Sequence, residues 1–284
     1  MELHLKPGRG SLRIRVITDK EEIHSMSMFK RMLASAGIGA AEVNLMLHQD
    51  VVKAGDTLSG IVRIQGGRVD QKVDDVYAFV KTRYVKEHND SKSHVEATIA
   101  KFLLASGFTV EAEQVYEFPV SFQLPPVTPV TMGKTPVWIH TGLDIKEAVD
   151  PKDEDYLQVL PHPHSALVLD AAAQLGFRLR EVSCEHAPYY GKRNGLPFVQ
   201  EFEFQPSSQF RGRLDELEIM FYPDEQGVEL LLQIDRKARG LSGLLAEALD
   251  ADEKFVRLRL DRAHLAAGTG HVADQLLATI NKYA

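Results

Sequence analysis

The sequence predicts a mainly β protein built from two tandem β-sandwich domains, and three observations support this. Apolar and polar residues alternate in short runs through residues 43–144. Turn signals separate these runs roughly every 8–12 residues, which is typical of sandwiches. A second set of alternating runs follows between residues 156 and 261. Both halves of the chain are therefore expected to consist largely of strands.

The first half is expected to form six strands after a short helix. Phe29, Met32, Leu33 and Ala36 fall on one side of a predicted helix over residues 28–36. The strands are predicted at residues 43–47, 58–64, 73–84, 95–104, 115–124 and 137–143. Four prolines between residues 125 and 136 place that stretch outside the sheet or at its edge, because proline donates no ladder hydrogen bond.

The second half is expected to combine strands and helices. A strand at residues 156–160 leads into a helix over 166–175, capped by Ser165 and ended by Gly176. Further strands are predicted at residues 177–186, 198–205, 214–222, 228–236 and 255–261. The C-terminal helix carries an apolar stripe made of Val272, Ala273, Leu276, Leu277 and Ile280. This stripe is expected to pack on the second sandwich or to meet a partner.

A second amphipathic stripe precedes the last strand. It contains Leu241, Leu244, Leu245, Ala248 and Leu249. Packing on the sandwich explains this pattern, and so does presentation of the stripe to a partner protein. Leu241, Leu244, Leu245 and Leu249 are therefore candidate partner-binding residues.

The length of the chain and an acidic linker predict its domain organisation. A chain of 284 residues corresponds to about two domains. The acidic stretch 143–155 contains Pro151 and is expected to hold the boundary. The predicted units are an N-terminal extension without an assigned structure (1–27), a first sandwich (28–150) and a second sandwich with helices (151–284).

Composition predicts a cytoplasmic protein that binds neither nucleic acid nor the membrane interior. The net charge of −7 disfavours a surface that follows phosphates. Cys184 is the single cysteine, which excludes an internal disulfide and fits a reducing compartment. No run approaches the ~18 apolar residues of a membrane span. The first 23 residues lack the apolar centre of a signal peptide.

The sequence carries no catalytic signature, so no catalytic residue, cofactor or metal site is predicted. The patterns GxSxG, HExxH and the P-loop are missing from it. His162 and His164 are expected to point apart, because they alternate in an extended segment, and this argues against a shared metal ion. The acidic run 153–155 lacks the glycine and glutamate of an EF-hand and is expected to be solvated.

Three residues, Lys81, Arg83 and Trp138, allow two interpretations each. Lys81 and Arg83 lie two apart in one strand; if they face inward, Arg83 needs a carboxylate in a polar core, and otherwise both face solvent. Trp138 fills the first core or, with Tyr189 and Tyr190, contributes to a ligand site.

Several ordered blocks resemble the bacterial sporulation-control (stage-zero sporulation) family of arrestin-like proteins. The blocks are residues 29–41, 60–69, 82–85, 144–153, 198–204, 210–216 and 234–240. The resemblance implies two tandem arrestin-like β-sandwich domains and a non-enzymatic regulatory role. In spore formers that role concerns entry into sporulation and cell division. The analogy also draws attention to Arg83 as part of a polar contact.

Three hypotheses on function follow. The first is a cytoplasmic adaptor or scaffold that acts through protein–protein interaction, with edge strands that could also pair into a homodimer. The alternative is a β-sandwich module that binds a small ligand, a carbohydrate or a lipid headgroup. The third, an enzyme, is the least favoured because the chain lacks a catalytic pattern.

Overall fold

A computed structural model of the chain describes residues 2–5, 12–17, 40–88, 91–145, 150–206, 210–236 and 255–283, with side chains from residue 40 onward. Strands dominate these residues, so the prediction of a mainly β fold is confirmed. Within this part of the chain, no helix is both long and apolar enough to cross a membrane.

Each strand predicted from alternation is present. The described strands are β1 (Glu2–Leu5), β2 (Leu12–Ile17), β3 (Glu42–Leu47), β4 (Val51–Lys53), β5 (Thr57–Gln65), β6 (Gln71–His88), β7 (Ser91–Val110), β8 (Val115–Gln123), β9 (Val137–Ile145), β10 (Lys152–Leu160), β11 (Phe177–His186), β12 (Phe198–Pro206), β13 (Leu214–Asp224), β14 (Gly227–Arg236) and β15 (Phe255–Asp261). The described helices are α1 (Pro163–Gln174), α2 (Pro188–Gly191), α3 (Arg262–Ala266) and α4 (Thr269–Tyr283), with a 3-10 turn at Lys192–Asn194.

Two sheets form a sandwich in the N-terminal half. One has the order β1-β2-β8-β5-β3, and the other places β6 between β7 and β9, followed by β10 and β4. Alternation sends every second side chain of each strand inward. The inward residues form one core cluster, which includes Leu45, Leu58, Phe118, Ile139 and Leu143.

The C-terminal half contains one antiparallel sheet with the order β11-β12-β13-β14-β15. Its inner face is covered by α1 and α4, which contribute Val168, Ala171, Leu276 and Ile280 to a second core. This differs from the expected second sandwich, because helices cover the face among the described residues. The apolar stripe of α4 and the nearly all-apolar α1 supply the surface that a second sheet would otherwise provide.

The two halves share one sheet. The end of β6 pairs in parallel with β11 at Val85 and Glu185. This pairing joins the sheet of the C-terminal half to one sheet of the N-terminal sandwich, so that ten strands belong to a single sheet.

Helix α1 begins earlier than predicted. The side chain of His162, rather than that of Ser165, caps the helix by accepting from the His164 backbone N–H at 3.2 Å. Pro163 suits the first turn, since its φ is already helical and its missing N–H has no partner there. Gly176 follows the end of the helix with φ +85°, a conformation that favours glycine.

Strand β10 follows the predicted boundary at residues 150/151. It pairs with β9 on one side and with β4 on the other. Leu157 and Val159 belong to the N-terminal core. The chain therefore passes to the C-terminal half after Leu160, and the division into two domains stays a prediction.

Some predictions concern residues that the structure does not describe. The predicted helix 28–36 lies outside the described residues, as do Leu241, Leu244, Leu245 and Leu249. The predicted extension 1–27 contains β1 and β2, and β2 pairs antiparallel with β8.

Candidate interaction site at the junction of the two halves

The junction is held by aromatic packing at the end of β6. Tyr84 stacks on Phe198 of β12, with ring centroids 5.3 Å apart, and on His186 of β11 at 5.9 Å. Cys184 and Leu196 complete a small buried cluster around Tyr84. Because β6 extends beyond its pairing with β9, which ends at Thr82, it carries Tyr84 into the C-terminal half.

A proline-rich strap, residues 124–136, binds both halves. The Gln200 side chain accepts from the Val130 backbone N–H at 2.8 Å and donates to the Val130 carbonyl at 2.9 Å, as a neighbouring strand would. On the other side, the Thr131 N–H donates to the Val159 carbonyl of β10 at 3.0 Å. Val130 itself is buried in the C-terminal core. The strap therefore fixes the two halves relative to each other.

A cleft of about 1040 Å³ lies between the strap, β11 and the paired ends of β6 and β7. We call it the junction cleft. Its charged or titratable lining residues are Arg83, Lys92, His94, Glu96, Lys134, Arg180, Glu181 and Glu185. Its volume lies just above the usual range for small-molecule sites, and its lining combines charged side chains with apolar surface.

Arg83 lies at the rim of the junction cleft. Its side chain is 46% exposed and pairs with Glu96 of β7 at 3.2 Å. Its guanidinium lies 5.3 Å from the centre of the Trp138 ring. Of the two interpretations offered by the sequence, the solvent-facing one describes Arg83, and the polar-core one does not.

The three aromatic candidates do not meet in one site. Trp138 is 1% exposed, but it lies on the outer side of β9, under Arg83, and stacks on Tyr156 at 5.8 Å. Tyr189 is 78% exposed, whereas Tyr190 packs against Phe255. The structure therefore separates Trp138 from the tyrosine pair.

A row of glutamates crosses the outer face of the C-terminal sheet. Glu203 of β12 lies directly opposite Glu218 of β13. Arg180 of β11 donates to Glu203 and binds Glu216 at 2.9 Å. Burial, together with a hydrogen bond that protonated Glu218 donates to Glu216, raises the pKa of Glu218 to about 8. Burial, with the nearby Glu185 and Glu203, raises the pKa of Glu201 to about 7.

Three of these glutamates are near enough to hold a metal ion. Oxygens of Glu203, Glu216 and Glu218 lie within 4.8 Å of one another. Arg180 already pairs with Glu203 and Glu216, so the row is a network of ion pairs and not a set of free metal ligands.

The thiol of Cys184 and the histidine pair His162 and His164 contribute to the packing and hydrogen bonding of the fold. Burial raises the pKa of Cys184 to about 12, so the thiolate needed for nucleophilic attack does not form near neutral pH. The rings of His162 and His164 lie 4.7 Å apart, so the expectation that they point apart is wrong: residues two apart share a face even in an extended chain, and here His162 caps the helix that Pro163 starts. His162 caps α1, and His164 Nδ1 lies 3.0 Å from the Gly227 carbonyl.

Sequence reasoning missed Gln200 and the pair Asp153 and Asp155. Each lies on the inward, apolar face of its strand. Gln200 alternates with Phe198 and Phe202 in β12, and the two aspartates lie on the same face of β10 as Leu157. A polar residue at an inward position is the signal that could have identified them. The expectation that the run 153–155 is solvated is wrong for the two aspartates, which are only partly exposed.

Together these features define a class: a mainly β protein in which a shared sheet and a strap join two halves around a charged cleft. The chain belongs to the Spo0M family, since the family model described as SpoOM protein matches residues 29–238. The resemblance inferred from the sequence blocks is thereby confirmed.

Spo0M of Bacillus subtilis supports this assignment both by sequence and by structure. Over 260 residues the chain is 42% identical to the sporulation-control protein spo0M of strain 168, which covers 91% of this chain and 100% of the relative. The crystal structure of Spo0M, a sporulation control protein, matches with a TM-score of 0.77 and 36% identity. That match covers 87% of this chain and 100% of the other.

Proposed function

We propose that this chain is a cytoplasmic, non-enzymatic regulatory adaptor that acts by binding other proteins. The observation that carries the proposal is the junction cleft, which the two halves and the strap form together. A cleft shared by two halves makes binding there sensitive to how the halves are held. The sporulation-control name of the relative supports a regulatory role in sporulation for the chain.

The chemistry around the cleft favours binding over catalysis. The Cys184 thiol is protonated near neutral pH. Arg180 is paired with Glu203 and Glu216. A nucleophile and a general base within hydrogen-bond reach of each other would be needed for covalent catalysis.

Genetic replacement tests the regulatory role. This chain is expressed in Bacillus subtilis in place of the relative, and heat-resistant spores are counted. We expect the chain to restore the spore count of the parent strain. A count equal to that of the strain lacking the relative would reject the sporulation role.

Charge reversal tests whether the cleft is the interface. Lys134→Glu and Arg83→Glu reverse two lining residues, and Lys72→Glu reverses an exposed residue of β6 that is not part of the lining. We expect partners recovered with the wild-type chain from native lysate to be lost with the first two variants and kept with the third. Folded cleft variants that retain every partner would exclude the cleft.

A second candidate function is the binding of a small charged ligand in the junction cleft. Its volume and its mixture of cations and carboxylates favour this alternative. Thermal denaturation against a panel of metabolites, sugars and lipid headgroups tests it, since a ligand at 100 times its Kd stabilises by ~2.7 kcal/mol.

Homodimer formation is part of the proposal, because β7 and β15 each pair with one described strand only. Strand edges of this kind can pair across a two-fold axis. Light scattering at micromolar concentration is expected to detect a dimer, and a mass of a single chain would remove this part.

A further inference from the structure

Two aspartates of β10 point into the N-terminal sandwich. Asp153 and Asp155 alternate with the exposed residues of the strand and share the inward phase of Leu157. Asp153 lies directly opposite Thr141 of β9, and Asp155 lies opposite Ile139. The two carboxyl groups are partly buried on one face of the strand and near enough to act on each other.

Asp153 closes the sandwich at this edge. Its Oδ2 accepts from the Leu45 backbone N–H of β3 at 2.9 Å, and its Oδ1 accepts from the Glu154 N–H at 3.0 Å. Strand β3 pairs with β5 on its other side, so the Leu45 N–H is a donor of the free edge. A carboxylate side chain thus replaces a strand partner for β3.

Asp155 lacks such partners. Its Oδ2 is buried and accepts no hydrogen bond within the described part of the chain. Burial, then the negative charge of Asp153, and then a hydrogen bond between the two carboxyl groups raise the pKa of Asp155 to about 7. β9 faces it with Ile139 and Thr141, neither of which titrates, and β3 contributes the Leu45 amide.

Another titratable pair of β9 and β10 lies on the opposite face of these strands from Asp155. His140 and Glu154 pair with each other at 3.5 Å on the outer face of β9 and β10. Asp153 is therefore the charged group that acts on Asp155.

We propose that Asp153 and Asp155 form a proton-operated latch that holds the edge strand β3 against β10. With a proton on Asp155, the pair carries one negative charge and Asp153 remains a good acceptor for the Leu45 N–H. Loss of the proton places two negative charges side by side, and their repulsion weakens the Asp153–Leu45 bond. The released edge of β3 then offers unpaired backbone groups to another strand. The latch goes beyond the proposed function and does not depend on it.

The direction of the pH effect follows from the raised pKa. Asp155 binds its proton more tightly in the folded than in the unfolded chain. Its stabilisation of the latch is complete at acidic pH and is lost as the pH rises through about 7.

Amide hydrogen exchange at Leu45 tests the latch. Exchange rates are measured at about pH 6 and about pH 8 and divided by the intrinsic rates, so that protection factors are compared. We expect the protection of Leu45 to fall about tenfold between these values, while the Val62 amide of β5 changes little. In Asp155→Asn, which keeps the shape and stays neutral, Leu45 protection is expected to stay constant.

Two results would overturn the proposal. One is equal protection of Leu45 at both pH values in the wild type, and the other is the same fall in Asp155→Asn. A titration of the Asp155 carboxyl carbon by NMR needs no variant: a midpoint near neutral pH supports the latch, and a midpoint near 4, the ordinary aspartate value, excludes it.

Discussion

The outer face of the ten-stranded sheet differs between its two ends. At the N-terminal end, cations lie over aromatic rings. The Lys101 ammonium is 5.3 Å from the Tyr77 ring and 5.1 Å from the Phe79 ring, and the Arg83 guanidinium is 5.3 Å from Trp138. None of these rings changes its charge near neutral pH, so the cation–ring contacts themselves are expected to be insensitive to pH in that range.

At the C-terminal end, the outer face depends on carboxylates. Glu201 and Glu203 of β12 lie beside Glu216 and Glu218 of β13, and Arg180 binds two of them. Like charges on neighbouring strands repel, so burial leaves part of the row protonated near neutral pH. The stability of this end is therefore expected to vary with pH.

The difference shows that alternation of charged residues along a strand does not predict which side chains surround them. Lys81 and Arg83 alternate in β6 as Glu216 and Glu218 alternate in β13. In β6 the two cations share the face with aromatic rings and with Glu96, which pairs with both, whereas in β13 the carboxylates share it with further carboxylates. The neighbouring strands decide which arrangement results, and neighbours are set by the fold.

Trp138→Ala is expected to have the largest effect. Trp138 is 1% exposed, and deletion of a fully buried tryptophan side chain destabilises by about 3 to 5 kcal/mol. The loss should be equal at pH 6 and pH 8, since ring packing does not titrate. Urea denaturation measures it, with the exposed Tyr189→Ala as a control that should change stability by less than about 0.5 kcal/mol. If the loss of stability at pH 8 were twice that at pH 6, the N-terminal end of the outer face would also depend on pH, and the contrast with the C-terminal end would be wrong.

Arg180→Ala is expected to have the next largest effect. It removes the cation between Glu203 and Glu216, but Arg180 is 45% exposed and solvent screens the pairs. We expect a loss of about 1 kcal/mol at pH 8 and a smaller one at pH 5, where Glu201 and Glu218 are protonated and the row carries less negative charge for Arg180 to offset. Arg178→Ala, an exposed arginine of the same strand, is the matched control. An equal loss at both pH values would mean that Arg180 acts through packing.

Glu218→Gln is expected to stabilise the protein at alkaline pH. The pKa of Glu218 in the folded chain, about 8, exceeds its ordinary value, so folding becomes less favourable as the pH rises toward 8. The amide removes this charge and should raise stability at pH 8.5 by about 1 kcal/mol. At pH 5 wild type and variant should have similar melting temperatures. Destabilisation by Glu218→Gln at pH 8.5 would show that its charge is favourable.

Much of the fold follows from local patterns. The strands β5, β8 and β13 were predictable because alternation is encoded within each segment. The packing of the C-terminal helix on the second half was predicted from its apolar stripe, but the replacement of a second sheet by helices was not, because which surfaces meet depends on contacts distant in sequence. The start of α1 was missed because His162 is an uncommon cap.

The candidate site was less predictable than the fold. The possible polar core around Arg83 is not what the structure has, because exposure of this side chain depends on which side of β6 faces the second sheet. Two register shifts between β6 and β7 make that phase hard to infer from spacing alone. Asp153 and Gln200 bind backbone groups over 60 residues away, and no local pattern encodes such contacts.

Lys101→Ala is expected to have the smallest effect, and it tests the nature of the N-terminal face. Loss of a half-exposed cation over Tyr77 and Phe79 should cost about 0.5 kcal/mol. Because neither ring titrates below neutral pH, the loss should be the same at pH 5 and pH 7, measured by the shift of the urea midpoint. Lys72→Ala, an exposed lysine of β6, serves as the control. A loss that appeared only at pH 7 would instead show that Lys101 pairs with a carboxylate. Both ends of the sheet would then depend on ionised carboxylates, and only the size of the dependence would differ.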